Sequence, residues 1–309
     1  MALNSLIKAM TSDGVLVPLI DEYLITRGAD ADRGHDYVSP SSVFDCMRAQ
    51  MYRILKYRTD GPNDPRTQRI FDTGHAIHGM LQDYLEDIGV LEIAECPVFD
   101  PELKLTGHCD GVLDVEKFKA SLKGRNVNKR KRKFSVLEIK TINSNGFKAL
   151  RGAPKENHVK QASAYAMTLE MLRSKCNALK RSPLKYTIFK RKYLKQYKEF
   201  MEGFVVGGRK FTKEQKIEFK LQQMARIMDV LRDIDEPFDT IYFLYIDKDT
   251  QELFEKEVML DEEVARTLRS RCREIDKYRR LKRLPPRPEG ATGKSCNACR
   301  YCNYKLQCY

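Results

Sequence analysis

FSVLEIKTI, residues 134–142, is the stretch that decides the fold. It is rich in Val, Leu and Ile, and alternate side chains of a β-strand point to opposite faces. Glu138 and Lys140 would therefore share one face, while Leu137 and Ile139 would line the opposite, apolar face. An acid and a lysine on a hydrophobic strand are awkward to bury without a use for them. We therefore expect a functional site here, with a structural salt bridge as the alternative.

The preceding segment, LTGHCDGVLDV at residues 105–115, predicts a second strand that carries Asp110. Neighbouring antiparallel strands can bring Asp110 and Glu138 together. Two carboxylates that share space repel each other unless a hard cation such as Mg2+ lies between them. Such a metal can polarise a phosphodiester and generate hydroxide, while Lys140 can hold the attacking water. The two strands therefore predict a metal-assisted hydrolytic site.

Further helices and strands are predicted on either side of this pair. Apolar residues recur at helical spacing in the long segments, whereas the strand segments are short and rich in Val, Leu and Ile. The predicted elements are helices at 39–55, 73–87, 159–172, 213–231 and from Asp261 onward, and strands at 93–99, 240–247 and 253–259. This order predicts an α/β domain with a central mixed sheet flanked by helices. The predicted divisions are an N-terminal helical segment at 1–38 and one domain at 39–309, with a basic helical insertion at 175–235 and a cysteine-rich box at 296–308.

The composition excludes several classes of protein. Of the 309 residues, 42% are hydrophobic and 32% are charged, and no apolar run approaches the roughly 20 residues needed to span a bilayer. The first residues, MALNSLIKAM, lack the long apolar stretch of a secretory signal. We therefore expect a cytoplasmic protein without a membrane partner, whose nine cysteines are reduced thiols or metal ligands.

Positive charge is concentrated in two windows. The net charge is +13, and residues 119–133 and 175–198 carry eight and nine basic residues with no acidic ones, so the rest of the chain sums to −4. Such windows favour a polyanion partner such as DNA, bound through counterion release, although a solvated surface is the alternative for either alone. The insertion could also bind a protein partner. The candidate nucleic-acid contacts are Lys129, Arg130, Lys131, Arg132, Lys133, Lys190, Arg191 and Lys192.

Asp110, followed on the next strand by Glu138 and Lys140, resembles the Asp and acid-x-Lys pattern of the PD-(D/E)XK nuclease superfamily. Two more segments resemble its RecB-like members. TGHAIHGMLQDYL, residues 73–85, has a His four residues after a Gly, and KQASAYAMTL, residues 160–169, has a Q-x-x-x-Y motif. The resemblance therefore implies a restriction-endonuclease-like core.

The same resemblance assigns roles to particular residues. It implies His78, Asp110 and Glu138 as ligands of Mg2+ or Mn2+, Lys140 as the residue that assists the water, and Gln161 and Tyr165 as their support. His75 is close to His78 in sequence and is the second candidate for its role. Gln161 and Tyr165 are one helical turn apart, so both can face the same cleft.

The C-terminal stretch SCNACRYCNYKLQCY is a strong metal signal, because a two-residue spacing lets both sulfurs bind one ion or cluster. Four thiolates suit zinc as well as an iron-sulfur cluster. With Cys46 far upstream, the spacing Cys299-x2-Cys302-x5-Cys308 resembles the iron-sulfur RecB-like exonucleases, which include the CRISPR-associated Cas-four type and the AddB nuclease domain. The resemblance implies a [4Fe-4S] cluster on these four cysteines that clasps the two ends of the fold. Cys296 is an alternative fourth ligand, and Zn2+ is the alternative metal.

These resemblances imply a metal-dependent deoxyribonuclease, an exonuclease that hydrolyses phosphodiesters from DNA ends in recombination, replication or defence. The cluster would be structural, because this hydrolysis moves no electrons. Two other hypotheses stay open: a non-catalytic nucleic-acid-binding module with a structural zinc site, and a restriction-type endonuclease on the same fold. Intact Asp110, Glu138 and Lys140 count against the first, and the lack of a visible target-recognition domain counts against the second.

Overall fold

A computed structural model describes residues 14, 16–29, 36–61, 64–117, 133–205, 211–291, 293, 299 and 302–309. The helices named below are α1 (Leu16–Ala29), α2 (Met47–Ile54), α3 (Pro65–Asp87), α4 (Ser144–Lys148), α5 (Glu156–Ala178), α6 (Pro183–Phe204), α7 (Lys213–Asp233), α8 (Glu262–Leu281) and α9 (Lys305–Cys308). The strands are β1 (Leu91–Asp100), β2 (Leu105–Asp114), β3 (Phe134–Ile142), β4 (Thr240–Asp247) and β5 (Leu253–Met259). Within these ranges, no helix is long and apolar enough to cross a membrane. Much of the predicted N-terminal segment at 1–38 lies outside them, and α1 is its described helix.

The five strands form one mixed sheet whose spatial order follows the chain, β1-β2-β3-β4-β5. The strands β3 and β4 run parallel, whereas the other neighbouring pairs are antiparallel. A parallel pair needs a crossover connection, and the segment from α4 to α7 supplies it. The predicted mixed sheet flanked by helices is confirmed, and β3, β4 and β5 have the predicted bounds.

Alternation along β3 separates two hydrophobic layers. Val136 packs in the larger core together with Leu169 of α5. Leu137 and Ile139 pack in a second core together with Leu81 of α3. Because neighbouring residues of a strand face opposite sides, α5 covers one face of the sheet and α3 covers the other. The apolar face predicted for this strand is therefore confirmed.

The basic insertion predicted at 175–235 is part of the core rather than a peripheral addition. Its first residues belong to α5, which continues to Ala178. Further along, α7 contacts both β1 and α5, and its Met224, Met228 and Leu231 are fully buried in the larger core. The insertion therefore completes the helical layer on one face of the sheet.

The first predicted helix, α2, begins at Met47 rather than at the predicted Ser39. Val38 is instead bonded to the region around the start of β2. Its N–H donates to the Lys104 carbonyl at 2.8 Å, and its carbonyl accepts from the Thr106 N–H at 2.9 Å. This bridge holds the chain extended at the residue before the predicted helix start, so the helix forms only after a turn.

Side-chain caps set the beginning of two longer helices. The Asp64 carboxylate accepts a hydrogen bond from the Thr67 N–H at 3.2 Å, and Pro65 stands at the first helical position, so α3 begins earlier than predicted. The Asp261 carboxylate accepts from the Glu263 N–H at 2.8 Å, and α8 begins there as predicted. These caps satisfy backbone donors that have no partner within the helix.

Candidate active site

Asp110 lies where the ladder between β2 and β3 ends. The last paired residues are Gly111 and Leu137, so Asp110 and Glu138 come next on their strands. Asp110 Oδ2 accepts a hydrogen bond from the Ile139 N–H at 2.6 Å, in place of a further backbone pair. The two predicted acids therefore lie together at the point where these strands separate.

His78 of α3 reaches Asp110 from the other side. Its Nδ1 lies 3.2 Å from Asp110 Oδ1, and both side chains are largely buried. The second candidate, His75, is exposed one turn earlier and lies near Asp72. The structure therefore brings His78, and not His75, to the acidic strand.

The carboxyl group of Glu138 is almost completely buried. Its side chain is only 2% exposed, and its Oε1 lies 2.5 Å from Lys140 Nζ. Burial first, and then the neighbouring Asp110 carboxylate, raise the pKa of Glu138 to about 7 against the opposing charge of Lys140. A buried acid with a raised pKa beside a second acid is typical of a functional site.

Lys140 is also linked to α5 through the predicted Q-x-x-x-Y residues. Its Nζ donates to Gln161 Oε1 at 3.3 Å, and Gln161 Nε2 donates to the Tyr165 hydroxyl at 3.4 Å. Burial raises the pKa of Tyr165, so its hydroxyl stays protonated. Gly107 of β2 leaves room for the Tyr165 ring, because an added Cβ at Gly107 would lie 3.2 Å from Tyr165 Cε1. The two predicted support residues therefore hold Lys140 in place.

Two site residues escaped the sequence analysis, Gln82 and Glu95. Gln82 Nε2 donates to the Asp110 carbonyl at 2.7 Å and to Glu95 Oε1 at 3.1 Å. Glu95 stands opposite Asp110 between the paired residues of β1 and β2, and its φ is +47°. A left-handed φ costs a non-glycine residue on the order of 1 kcal/mol. Gln82 follows His78 by four, so helical spacing could have found it, whereas no sequence signal marks the strained glutamate.

The acidic end of this site has the right donors for a hard cation. Carboxylate oxygens suit Mg2+ and Mn2+, and a cation near Glu138 would relieve the repulsion from Asp110 that raises its pKa. In the part of the chain that the structure describes, no three His, Cys, Asp or Glu side chains are gathered into a ready metal site. Glu138 is paired with Lys140 instead. The donor chemistry therefore fits a divalent cation, provided that this carboxylate turns away from the lysine.

The four predicted cluster cysteines share one small cavity. It is lined by Cys46, which directly precedes α2, and by Cys299, Cys302 and Cys308. Burial raises the pKa of the Cys302 thiol, and the nearby Cys46 and Cys308 thiols raise it further. These thiols have the chemistry to bind zinc or an iron-sulfur cluster, although in the described residues they are not gathered closely enough to form a ready metal site. The alternative ligand Cys296 lies outside the described residues.

Hydrogen bonds fasten the C-terminal segment to the region around α2. The Tyr52 hydroxyl donates to the Gln307 carbonyl at 2.9 Å. The Asp60 carboxylate accepts from the Lys305 N–H at 2.7 Å and from the Leu306 N–H at 3.0 Å. We call these contacts the clasp. The clasp brings Cys46 close to the cysteines of the C-terminal segment.

The predicted nucleic-acid contacts have different surroundings. Lys133 and Lys190 lie 3.2 and 2.6 Å from aspartates of the same chain, whereas Arg191 and Lys192 of α6 are exposed. The other four, at 129–132, lie outside the described residues. Among the eight predicted contacts, Arg191 and Lys192 are therefore the ones that the described residues show to be exposed.

No family model and no curated protein matches this chain. Among solved structures, the chain matches one titled "Crystal structure of SSO0001", with 11% identity, a TM-score of 0.43 and coverage of 96% of each chain. The expected nuclease family therefore rests on the residues of this chain alone.

Proposed function

We propose that this protein is a Mg2+- or Mn2+-dependent deoxyribonuclease of the PD-(D/E)XK type. The observation that carries the proposal is the connected set of side chains at the opening between β2 and β3. His78 contacts Asp110, while Glu138 contacts Lys140 and Lys140 contacts Gln161. This arrangement combines acidic metal donors with a lysine that is held in a fixed place, as metal-assisted phosphodiester hydrolysis requires.

Each residue then has a distinct role. His78, Asp110 and Glu138 would hold the metal, which when bound polarises the phosphodiester and lowers the pKa of water. The ammonium of Lys140 would hold the attacking water and offset developing negative charge. Gln161 keeps that ammonium in place through its 3.3 Å hydrogen bond. Tyr165 supports Gln161 in turn.

The cysteine cavity supports a second part of the proposal, a structural [4Fe-4S] cluster on Cys46, Cys299, Cys302 and Cys308. Such a cluster would bind one thiolate beside α2 and three in the C-terminal segment, two regions that the clasp already joins. Zinc is the alternative in the same cavity. Iron and sulfide content after anaerobic purification, with the visible absorption spectrum, distinguishes the two metals, because zinc thiolates are colourless and contain no sulfide.

The proposed substrate is DNA, and the proposed place of action is the cytoplasm. The exposed Arg191 and Lys192 and the net charge of +13 support a polyanion partner. Cleavage from ends follows from the resemblance to the iron-sulfur exonucleases. A protein partner on the basic insertion would be compatible with the same charges.

The test is degradation of end-labelled linear DNA against closed circular DNA with Mn2+, using anaerobically purified protein. We expect loss of the linear substrate alone. The Asp110→Asn variant should abolish it while keeping an oxygen that can accept from the Ile139 N–H. Activity that survives this substitution would point to a contaminant, and cleavage of the circle would make the protein an endonuclease.

Two neighbouring histidines of α3 supply a matched control. His78→Ala should remove activity, because His78 contacts Asp110. His75→Ala should retain it, because His75 is exposed and lies near Asp72 instead. Equal loss in both variants would contradict the assignment of the metal ligand to His78.

A further inference from the structure

His158 lies on the same face of α5 as the two residues that support Lys140. It precedes Gln161 by three residues and Tyr165 by seven, and such spacings place side chains on one side of a helix. The ring is partly buried and packs against the ring of Tyr245 on β4, with centroids 5.8 Å apart. Tyr245 is paired with Lys140 across β3 and β4. His158 therefore lies close to Lys140.

The hydrogen bonds around Tyr245 fix the tautomer of this histidine. The Tyr245 hydroxyl accepts from the Lys155 N–H at 3.3 Å and lies 2.8 Å from His158 Nδ1. Burial raises the pKa of Tyr245 to about 12, so the hydroxyl keeps its proton. Among the described residues, Nδ1 is the acceptor that this buried hydroxyl meets. The hydroxyl therefore donates to Nδ1, which leaves the ring N–H on Nε2.

The charge of the ring is set by its surroundings. Burial lowers the pKa of His158 to about 4, and the positive charges of Lys140 and Lys155 lower it further. The ring is therefore neutral at pH 7. Its Nε2 has no hydrogen-bond partner in the described part of the chain. A neutral, oriented N–H donor beside a positively charged lysine is suited to an anionic oxygen.

We propose that His158 is a substrate-contacting residue whose Nε2–H donates to a non-bridging phosphate oxygen of the DNA strand bound beside Lys140. This inference rests on the proposed function, since it takes DNA as the ligand of the cleft. Tyr245 acts as the positioning residue that holds the imidazole in the donating tautomer. Lys140 supplies positive charge that attracts the phosphate, whereas His158 supplies a directed hydrogen bond to one of its oxygens.

The binding test distinguishes the contribution of the Nε2–H donor from that of the other atoms of the His158 ring. A short fluorescein-labelled oligodeoxynucleotide, single- or double-stranded, is titrated with protein in EDTA so that no cleavage occurs. His158→Asn keeps a polar group near Nδ1 but removes the outer donor, whereas His158→Gln places an amide donor near Nε2. We expect about tenfold weaker binding for His158→Asn, the size of one hydrogen bond to a charged group, and recovery of most of the affinity for His158→Gln.

Nitrogen NMR of the labelled imidazole gives a second readout that needs no DNA. Nε2 should be the protonated nitrogen in the wild type, and Tyr245→Phe should produce a mixture of the two tautomers. The His158→Gln spectrum assigns the signals, because the chain has only five histidines. A ring protonated on Nδ1 in the wild type would overturn the proposal.

The outcomes separate this inference from the nuclease proposal. Weaker DNA binding in His158→Asn without any wild-type cleavage would support the phosphate contact and refute the nuclease. Normal cleavage with equal DNA affinity in the wild type and both His158 variants would refute the contact and leave the nuclease standing. Equal weakening in both variants would also refute it, because it would show that the ring only fills space.

Discussion

Replacing Glu138 by Gln should stabilise the metal-free protein above pH 7. Burial and the Asp110 carboxylate raise the pKa of Glu138 from 4.5 to about 7 in the folded protein. Between these two values the folded state binds more protons than the unfolded state, so the free energy of unfolding falls as the pH rises. The stability that the protonated Glu138 contributes is fully present below pH 4.5 and is lost above about pH 7.

The magnitude follows from the difference between the two pKa values. Each unit corresponds to about 1.4 kcal/mol, so a rise from 4.5 to about 7 corresponds to about 3 kcal/mol. Glutamine has a similar volume, carries no charge at any pH and still offers an oxygen to Lys140. Because part of this difference already appears below pH 5, we expect Glu138→Gln to gain about 2–3 kcal/mol over the wild type between pH 5 and pH 8.

Urea unfolding in EDTA at both pH values measures this difference. Glu156→Gln is the control, because Glu156 is exposed and pairs with Lys160 at 2.6 Å, which lowers its pKa instead of raising it. The control should show no gain at high pH. If the difference in unfolding free energy between wild type and Glu138→Gln is the same at pH 5 and pH 8, the reasoning is refuted.

Three further predictions test the packing and the cysteine cavity. Gly107→Ala should cost about 1–3 kcal/mol, because its Cβ would meet a proline and a tyrosine ring at 3.0 and 3.2 Å. Gly203→Ala in α6 has nothing within 4 Å and should stabilise by about 0.5–1 kcal/mol, so equal effects in thermal unfolding would contradict the contact argument. Met228→Ala should cost about 2–5 kcal/mol of unfolding free energy in urea, whereas the exposed Phe219→Ala should change it by less than about 0.5. A small loss of unfolding free energy in Met228→Ala would mean that the insertion is not part of the core. Cys308→Ser should lower the iron and sulfide content of anaerobically purified protein, and full retention would remove Cys308 from the cluster.

The strands were predictable because their side chains alternate around a buried face. FSVLEIKTI defined β3 to the residue, and Asp110 and Glu138 met as expected because antiparallel neighbours bring such residues together. The start of α2 was not predictable from local sequence. Ser39 and Pro40 have the local form of a helix start, but the preceding residue is bonded to distant backbone.

Other features of the site depend on tertiary structure alone. No sequence signal predicts the left-handed φ of Glu95, because glutamate residues rarely adopt this conformation. The pairing of His158 with Tyr245 joins residues that are 87 positions apart. The insertion at 175–235 was recognised by its charge and helical pattern, which do not show that its buried methionines, including Met228, belong to the larger core. In each case the deciding interaction lies far away along the chain.

The clasp has a consequence for the order of assembly. Tyr52 and Gln307 are 255 residues apart, and the entropy cost of closing a loop grows with its length. The hairpins β1–β2 and β4–β5 close much shorter loops and should form first. A folding chain would then possess the strand that carries Asp110 before its cysteine cavity exists. Binding of the proposed cluster by these thiols would therefore be a late step, after the first strands of the sheet have formed.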